Sequence, residues 1–247
     1  MTSSANARRV CWALARECRP DDVLVVGVAT PLAAAAAFVA RELLTPDLTV
    51  IAGGAVDPPI VDIADFLTDA RAIARAAPAV LGQGDLLDLM QRGTITLQFV
   101  SPAQVDAAGA VNTSRVRTGS GWRRLPGCLA IPDTAALVGR LVAYRVEGGD
   151  RFIVDRVDHV TGLGRDDPVR ARWSLSGRGV VAVVTEAGRW DLDHRGSQAG
   201  GWTFLDVPPP EFDELLDRVL DPRGVIGLET QSDRAAARLA LARSVVS

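Results

Sequence analysis

At 247 residues, 48% hydrophobic and 23% charged, the chain is long enough to bury a sizeable core and too apolar for a disordered polymer. No internal repeat or Ser/Gly linker marks a border, so one compact domain spanning 1–247 is expected. A net charge of −3 gives no long-range attraction for phosphate backbones or anionic lipid, which argues against a nucleic-acid binder.

All 27 basic side chains are Arg, so Schiff-base and lysine-nucleophile chemistry are excluded. The longest apolar stretch, Val23 to Ala40, is interrupted by Gly27, Thr30 and Pro31, so it predicts no membrane span. Arg8 and Arg9 are followed by Glu17, Arg19, Asp21 and Asp22 where a secretory leader would need an apolar core, so the expected location is cytoplasmic. Cys11, Cys18 and Cys128 are an odd number without metal-ligand spacing and read as core packing.

Val10, Cys11, Leu14, Ala15 and Cys18 make a helical stripe, and Val23 to Val28 is an apolar run of the kind buried on both sheet faces. Thr30 and Pro31 read as N-cap and first helical position of a helix over Leu32 to Leu44, which Pro46 terminates. Leu48 to Ala52 completes a βαβ unit with parallel strands. Gly53 and Gly54 follow at a strand's carboxyl end, where ligands gather in open parallel sheets.

A short helix over Asp85 to Met90, stopped by Gly93, precedes a strand over Thr94 to Val100. Ser101 to Ile131 reads as one long loop, of a length that is usually functional or disordered. Leu141 to Glu147 and Arg151 to Val160 flank Gly148-Gly149-Asp150 as a hairpin, and Val180 to Thr185 is a buried strand. A helix starts at Pro208 to Pro210 and ends before Pro222, and Ser232 to Val246 is read as a last helix.

The common catalytic signatures are missing. His159 and His194 have no ligand partner at metal spacing, so no metal site is expected. No G-x-S-x-G or Walker run occurs, and neither Gly162-Leu163-Gly164 nor Gly82-Gln83-Gly84 continues into a dinucleotide fingerprint. Asp158-His159 and Asp193-His194 are adjacent pairs, which a strand would point to opposite faces. Arg115, Arg117, Arg123 and Arg124 cluster in the long loop, where they read as a solvated surface or as holders of a polyphosphate.

That loop carries a family resemblance. Residues 98–113, Gln-Phe-Val-Ser-Pro-Ala-Gln-Val-Asp-Ala-Ala-Gly-Ala-Val-Asn-Thr, resemble the "G-F-x-G-A-x-Q-x-D-x-x-G-N-x-N-T" stretch of family I coenzyme A transferase β subunits of the glutaconate type. Leu89 to Gly93 is similar to the helix end before that strand, Arg124-Leu125-Pro126-Gly127 to the start of the "R-L-P-G-S-G-G" loop, and Phe152 to Thr161 to the "F-V-x-x-V-D-x-x-T" strand. The resemblance implies a three-layer α/β fold with an open, mostly parallel sheet and a strand-rich second half. It also implies pairing with a homologous α-type subunit, an acyl-CoA thioester as substrate and no permanently bound cofactor.

The resemblance also locates what this chain lacks. The family's glutamate, which forms the acyl anhydride and the enzyme–CoA thioester, falls at Ala52, and a methyl group cannot attack a thioester. Cys128-Leu129-Ala130-Ile131 replaces the glycine-rich turn after Gly127, and Ala110 replaces an asparagine while Asn112 remains. The expected function is therefore a β-type subunit that handles acyl-CoA without a glutamyl intermediate, by hydrolysis or altered acyl chemistry.

In that reading Gly53, Gly54, Gln104, Asn112 and Gly127 contact the substrate, and Arg123 and Arg124 meet the CoA phosphates. Asp106, Asp57 and Cys128 are the candidate catalytic groups. Asp106 and Asn112 read equally as turn formers, and Cys128 as a buried inert thiol. The alternatives are a catalytically silent or acyl-CoA-binding subunit supporting an active partner, and true CoA transfer through a substitute carboxylate such as Asp57.

Overall fold

The computed structural model describes residues 2–27, 30–59, 70–147, 149, 151–192, 202–203 and 207–219. In chain order the elements are α1 (Thr2–Ala15), β1 (Val23–Val26), α2 (Pro31–Leu43), β2 (Thr49–Ala52), β3 (Ala55–Val56), α3 (Ala70–Ala76), β4 (Ala79–Val80) and α4 (Gln83–Gln91). Then come β5 (Leu97–Val100), β6 (Gln104–Asp106), β7 (Val111–Asn112), β8 (Arg115–Thr118), β9 (Gly121–Arg124), α5 (Ile131–Leu137) and β10 (Arg140–Tyr144). The last are β11 (Ile153–Val154), α6 (Pro168–Trp173), β12 (Val180–Thr185), β13 (Gly188–Asp191), β14 (Trp202–Thr203) and α7 (Pro210–Val219). Helices and strands alternate, and the fold class is α/β. None of the described helices is long and apolar enough to cross a membrane.

The chain divides into two compact units, Met1–Leu86 with Asp206–Ser247, and Leu87–Leu205. In the first, β1 and β2 pair in parallel from Val23↔Thr49 to Val26↔Ala52, joined by α2 as the βαβ pattern predicts. Residues 31–40 of α2 are buried without interruption, because small alanines let this helix pack on α1, α7 and the strands together. Phe212 of α7 meets Trp12 edge-on at 5.2 Å, and Arg8 pairs with Asp213 at 2.8 Å. Thr30 does not cap α2 through its side chain; its hydroxyl donates to the Gly27 carbonyl instead. Antiparallel β3 and β4 continue this sheet from β2.

In the second unit β5, β10 and β12 are parallel neighbours, with antiparallel β13 and β14 beyond β12. Every residue of β5, β10 and β12 is buried, which explains why they are mostly apolar, with Gln98, Arg140 and Thr185 the polar exceptions. The expected hairpin around residues 148–150 is not formed. Arg140–Tyr144 lies between two parallel partners, and Ile153–Val154 pairs in parallel with Val105–Asp106 in a separate sheet. Burial on both faces suits residues 141–144, whereas the next stretch carries Asp155, Arg156, Asp158 and His159 and cannot be buried that way.

The segment from Ser101 to Ile131 is likewise not one structureless loop. It holds β6 and β7, paired antiparallel beside β11, and the two-stranded ribbon β8–β9. Strands of two to four residues are too short to show a period, and polar side chains bonded to backbone supply their order. The expected helix over Ser232 to Val246 lies outside the described residues, as do Asp193-His194.

Candidate functional site

The motif segment builds a polar cluster from β6, β7 and the chain after β11. Gln104 and Asn112 face each other across the β6–β7 ladder, and Asn112 Nδ2 donates to Gln104 Oε1 at 2.7 Å. Asn112 Nδ2 also donates to the Arg115 carbonyl (2.6 Å), and Asn112 Oδ1 accepts from the backbone N–H groups of Ser114 and Arg115. Both donors and both lone pairs of this amide are thereby used. Gln104 Oε1 also accepts from the Asp158 backbone N–H, and Gln104 Nε2 donates to Asp158 Oδ2 at 3.0 Å, leaving one amide hydrogen uncommitted.

Asp158 enters as a residue whose role the sequence did not reveal. Its carboxylate accepts from the Arg117 backbone N–H at 2.8 Å, and that bond is the main cause of a pKa below the usual carboxylate range. Partial burial opposes the shift, while the Gln104 amide and the charges of Arg117 and Arg151 reinforce it. Asp106 is 5% exposed: Oδ1 accepts from the N–H groups of Ala108 and Ala110, and Oδ2 from that of Val157. It closes the turn between β6 and β7, the turn-forming role weighed from the sequence.

Beside this cluster the hydroxyls of Ser114 and Thr161 meet. Thr161 Oγ1 accepts from the Thr113 backbone N–H (3.1 Å) and lies 2.8 Å from Ser114 Oγ, while Thr113 Oγ1 is enclosed without a partner. Gly127 N donates to the Thr113 carbonyl, which brings the residues that follow the Arg-Leu-Pro-Gly motif next to this group. Gly127 has φ +119 with open space where a Cβ would stand. Cys128 is exposed, contrary to the buried thiol expected, because the segment 128–130 lies at the surface, with Leu129 78% exposed.

The arginines lie on the β8–β9 ribbon, where Arg115 pairs with Arg124 and Arg117 with Trp122. Period two puts Arg115, Arg117, Trp122 and Arg124 on one face and Arg123 with buried Val116 on the other, so the ribbon separates Arg123 from Arg124. The guanidinium carbons of Arg115 and Arg117 stand 4.7 and 5.0 Å from the Trp122 ring centre. Arg151 Nη2 donates to the Arg117 carbonyl, Arg115 Nη2 is 3.5 Å from His159 Nδ1, and a cavity of about 560 Å³ is lined by Arg117, Arg156, Asp158 and His159. No sequence period marks this face, because Arg115 and Arg117 alternate within a strand of four residues and Trp122 joins them only through cross-strand pairing.

In the first unit, Ala52 is wholly buried at the end of β2. Gly53 and Gly54 form the two-residue loop joining β2 to β3, at φ +60 and +84, the signs a type I′ turn requires. A Cβ on Gly54 would stand 2.7 Å from the Leu81 carbonyl oxygen, so backbone packing already demands glycine there. Asp57, at φ +44, accepts from the Val50 backbone N–H at 2.8 Å and lies 3.8 Å from Arg41. Among the described residues no group of three His, Cys, Asp or Glu side chains is placed to hold a metal.

Helices and strands alternate around parallel β1–β2 and β5–β10–β12, and the motif residues cluster on β6, β7 and β11, an α/β architecture. The chain has the α/β fold seen in family I coenzyme A transferases. The AibA/AibB decarboxylase is similar over 91% of this chain and 98% of its own, at 25% identity and TM-score 0.72. Glutaconate coenzyme A-transferase from Acidaminococcus fermentans matches 92% of this chain and 96% of its own at 19% identity and TM-score 0.70. IpdAB from Rhodococcus jostii RHA1 matches 92% and 98% at 21% identity and TM-score 0.70. Neither a protein-family model nor a curated protein sequence matches the chain.

Proposed function

We propose that this chain is the β-type subunit of a coenzyme A transferase-like heteromer that acts on an acyl-CoA thioester without a glutamyl-CoA intermediate. Ala52 at the family's glutamate position carries the reading, because that site has no atom able to accept an acyl group or CoA. A decarboxylase among the similar structures supports chemistry other than group transfer on this fold. The two-part names AibA/AibB and IpdAB support a homologous α-type partner, and single matches over nine-tenths of the chain support residues 1–247 as one family domain.

In this reading Gly127 allows close approach of the acyl group, and Gln104 orients it or a water through its uncommitted amide hydrogen. The Arg115, Arg117 and Trp122 face, with Arg124, meets the CoA phosphates, Arg123 contributing from the reverse side. The complex is cytoplasmic and needs no resident cofactor. The test is incubation of the co-expressed pair with a panel of acyl-CoAs, following free thiol, released CO₂ and hydroxylamine-sensitive adducts. Hydrolysis releases one thiol per carboxylic acid formed, decarboxylation releases CO₂ with the thioester retained, and neither leaves an adduct. A covalent acyl or CoA adduct on this chain would refute the proposal.

A second reading, a binding subunit that leaves the chemistry to its partner, is favoured by the hydrogen bonding of the candidate groups. Asp106 and Asn112 direct their side-chain polar atoms at this chain's own backbone and side chains, and Asp57 commits one carboxylate oxygen to the Val50 N–H. Turnover by the partner alone, only stabilised by this chain, would select it.

A further inference from the structure

Outside the motif cluster, the second unit contains an arginine-lined cavity of about 540 Å³ between α6 and the segment that follows it. Arg165, Arg170, Ser174 and Arg178 line it, and no acidic residue does. Arg170 is 8% exposed and donates to four carbonyl oxygens, those of Gly164, Gly177, Ala135 and Leu163, at 2.5–2.7 Å. Carbonyls satisfy its hydrogens without neutralising its charge, and one of its five N–H groups remains. Burial lowers its pKa, opposed only by Asp167, whose carboxylate caps α6 through the Val169 N–H. Arg165 Nη1 is enclosed without an acceptor.

A buried guanidinium bonded to no carboxylate, beside a second with an unanswered N–H, is costly unless an anion completes it. We infer that the cavity formed by Arg165, Arg170 and Arg178 is a binding site for a phosphate-type oxyanion, independent of the acyl-CoA reading. Three guanidinium groups and the Ser174 hydroxyl match a group with several oxygens better than a single carboxylate. Arg178, exposed at the rim, closes over the anion, while Arg170 is held in place by the loops it binds.

Thermal unfolding of the full-length chain in inorganic phosphate, against sodium chloride and sodium acetate at equal ionic strength, tests this. Phosphate is expected to raise Tm saturably. Arg165→Gln and Arg178→Gln are each expected to weaken the apparent affinity roughly tenfold, the loss of one charged hydrogen bond, while Arg75→Gln leaves it unchanged. If Arg165→Gln fails to fold, Arg178→Gln, at an exposed position, carries the test. An acetate effect equal to that of phosphate, no effect beyond chloride, or an unaltered response in the folded variants would overturn the inference. So would a response removed by Arg117→Gln and kept by Arg165→Gln, since the anion would then sit on the ribbon.

Discussion

Asn112 and Gln104 stand opposite each other on β7 and β6, joined by a 2.7 Å hydrogen bond from Asn112 Nδ2 to Gln104 Oε1. The bond lies at the base of a chain that continues through Asp158 to the Arg117 backbone, tying the small sheet to the arginine ribbon. Residues read from the sequence as substrate contacts thus first hold the loops that would present a substrate.

Asn112→Ala removes four hydrogen bonds at a fully buried position and leaves the Arg115 carbonyl and two backbone N–H groups without their partner. The expected loss of stability is about 3 kcal/mol, read from urea unfolding of the chain. A variant as stable as the parent, weakened only in ligand affinity, would return Asn112 to a purely binding role.

Asp158 makes part of this network depend on pH. Its folded pKa lies below the unfolded value near 3.8, so its contribution is present above that value and lost as pH falls through the folded pKa. The stability difference between the parent and Asp158→Asn is expected to be constant from pH 7 to about 5. It should shrink below pH 3.8. Denaturation series across that range measure it, and a difference that grows on acidification contradicts the assignment.

The legible parts of this chain are those with a repeating physical signal. β1, β2, β10 and β12 are apolar runs, and α2 is bounded by Pro31 and Pro46, so each appears in the sequence. The motif order likewise placed Gln104, Asp106 and Asn112 in one neighbourhood. What stayed hidden depends on contacts between distant residues. Asp158 lies 54 positions from Gln104, and β11 chooses β6 over β10 because its flanks are charged. Cys128 is exposed with Leu129 and Ala130 in a surface segment, although the apolar residues around it read as core.

The three cysteines should separate by reactivity. Cys128 is exposed and Cys11 and Cys18 are buried, so native alkylation followed by peptide mass spectrometry is expected to label Cys128 first. Cys128→Ser should remove the fast phase. Early labelling of Cys11 would mean that α1 opens from the helix layer it packs against.

Gly54 and Gly127 both have positive φ, yet only Gly54 has a backbone oxygen where a methyl would go. Gly54→Ala is therefore expected to cost about 2 kcal/mol or more, and Gly127→Ala about 1 kcal/mol, in chemical denaturation. If the loop at Gly127 receives the acyl group, Gly127→Ala should nevertheless weaken acyl-CoA binding by the co-expressed pair more than Gly54→Ala does. The opposite ranking in both measurements would remove Gly127 from the site.

Ala52→Glu tests the proposal that position 52 is where a catalytic carboxylate is missing. Ala52 is fully buried and pairs with Ala55 across the two-glycine loop, so a glutamate must place its carboxyl group among apolar neighbours or distort the turn. Burial of an unpartnered carboxyl group is expected to cost about 3 kcal/mol, lowering the denaturation midpoint of the isolated chain. Turnover by the pair should then fall without gaining a hydroxylamine-sensitive adduct, because a nucleophile must be accessible as well as present. A variant as stable as the parent that does form an adduct would show that position 52 opens onto the thioester, and that alanine there is the only barrier to ordinary transfer.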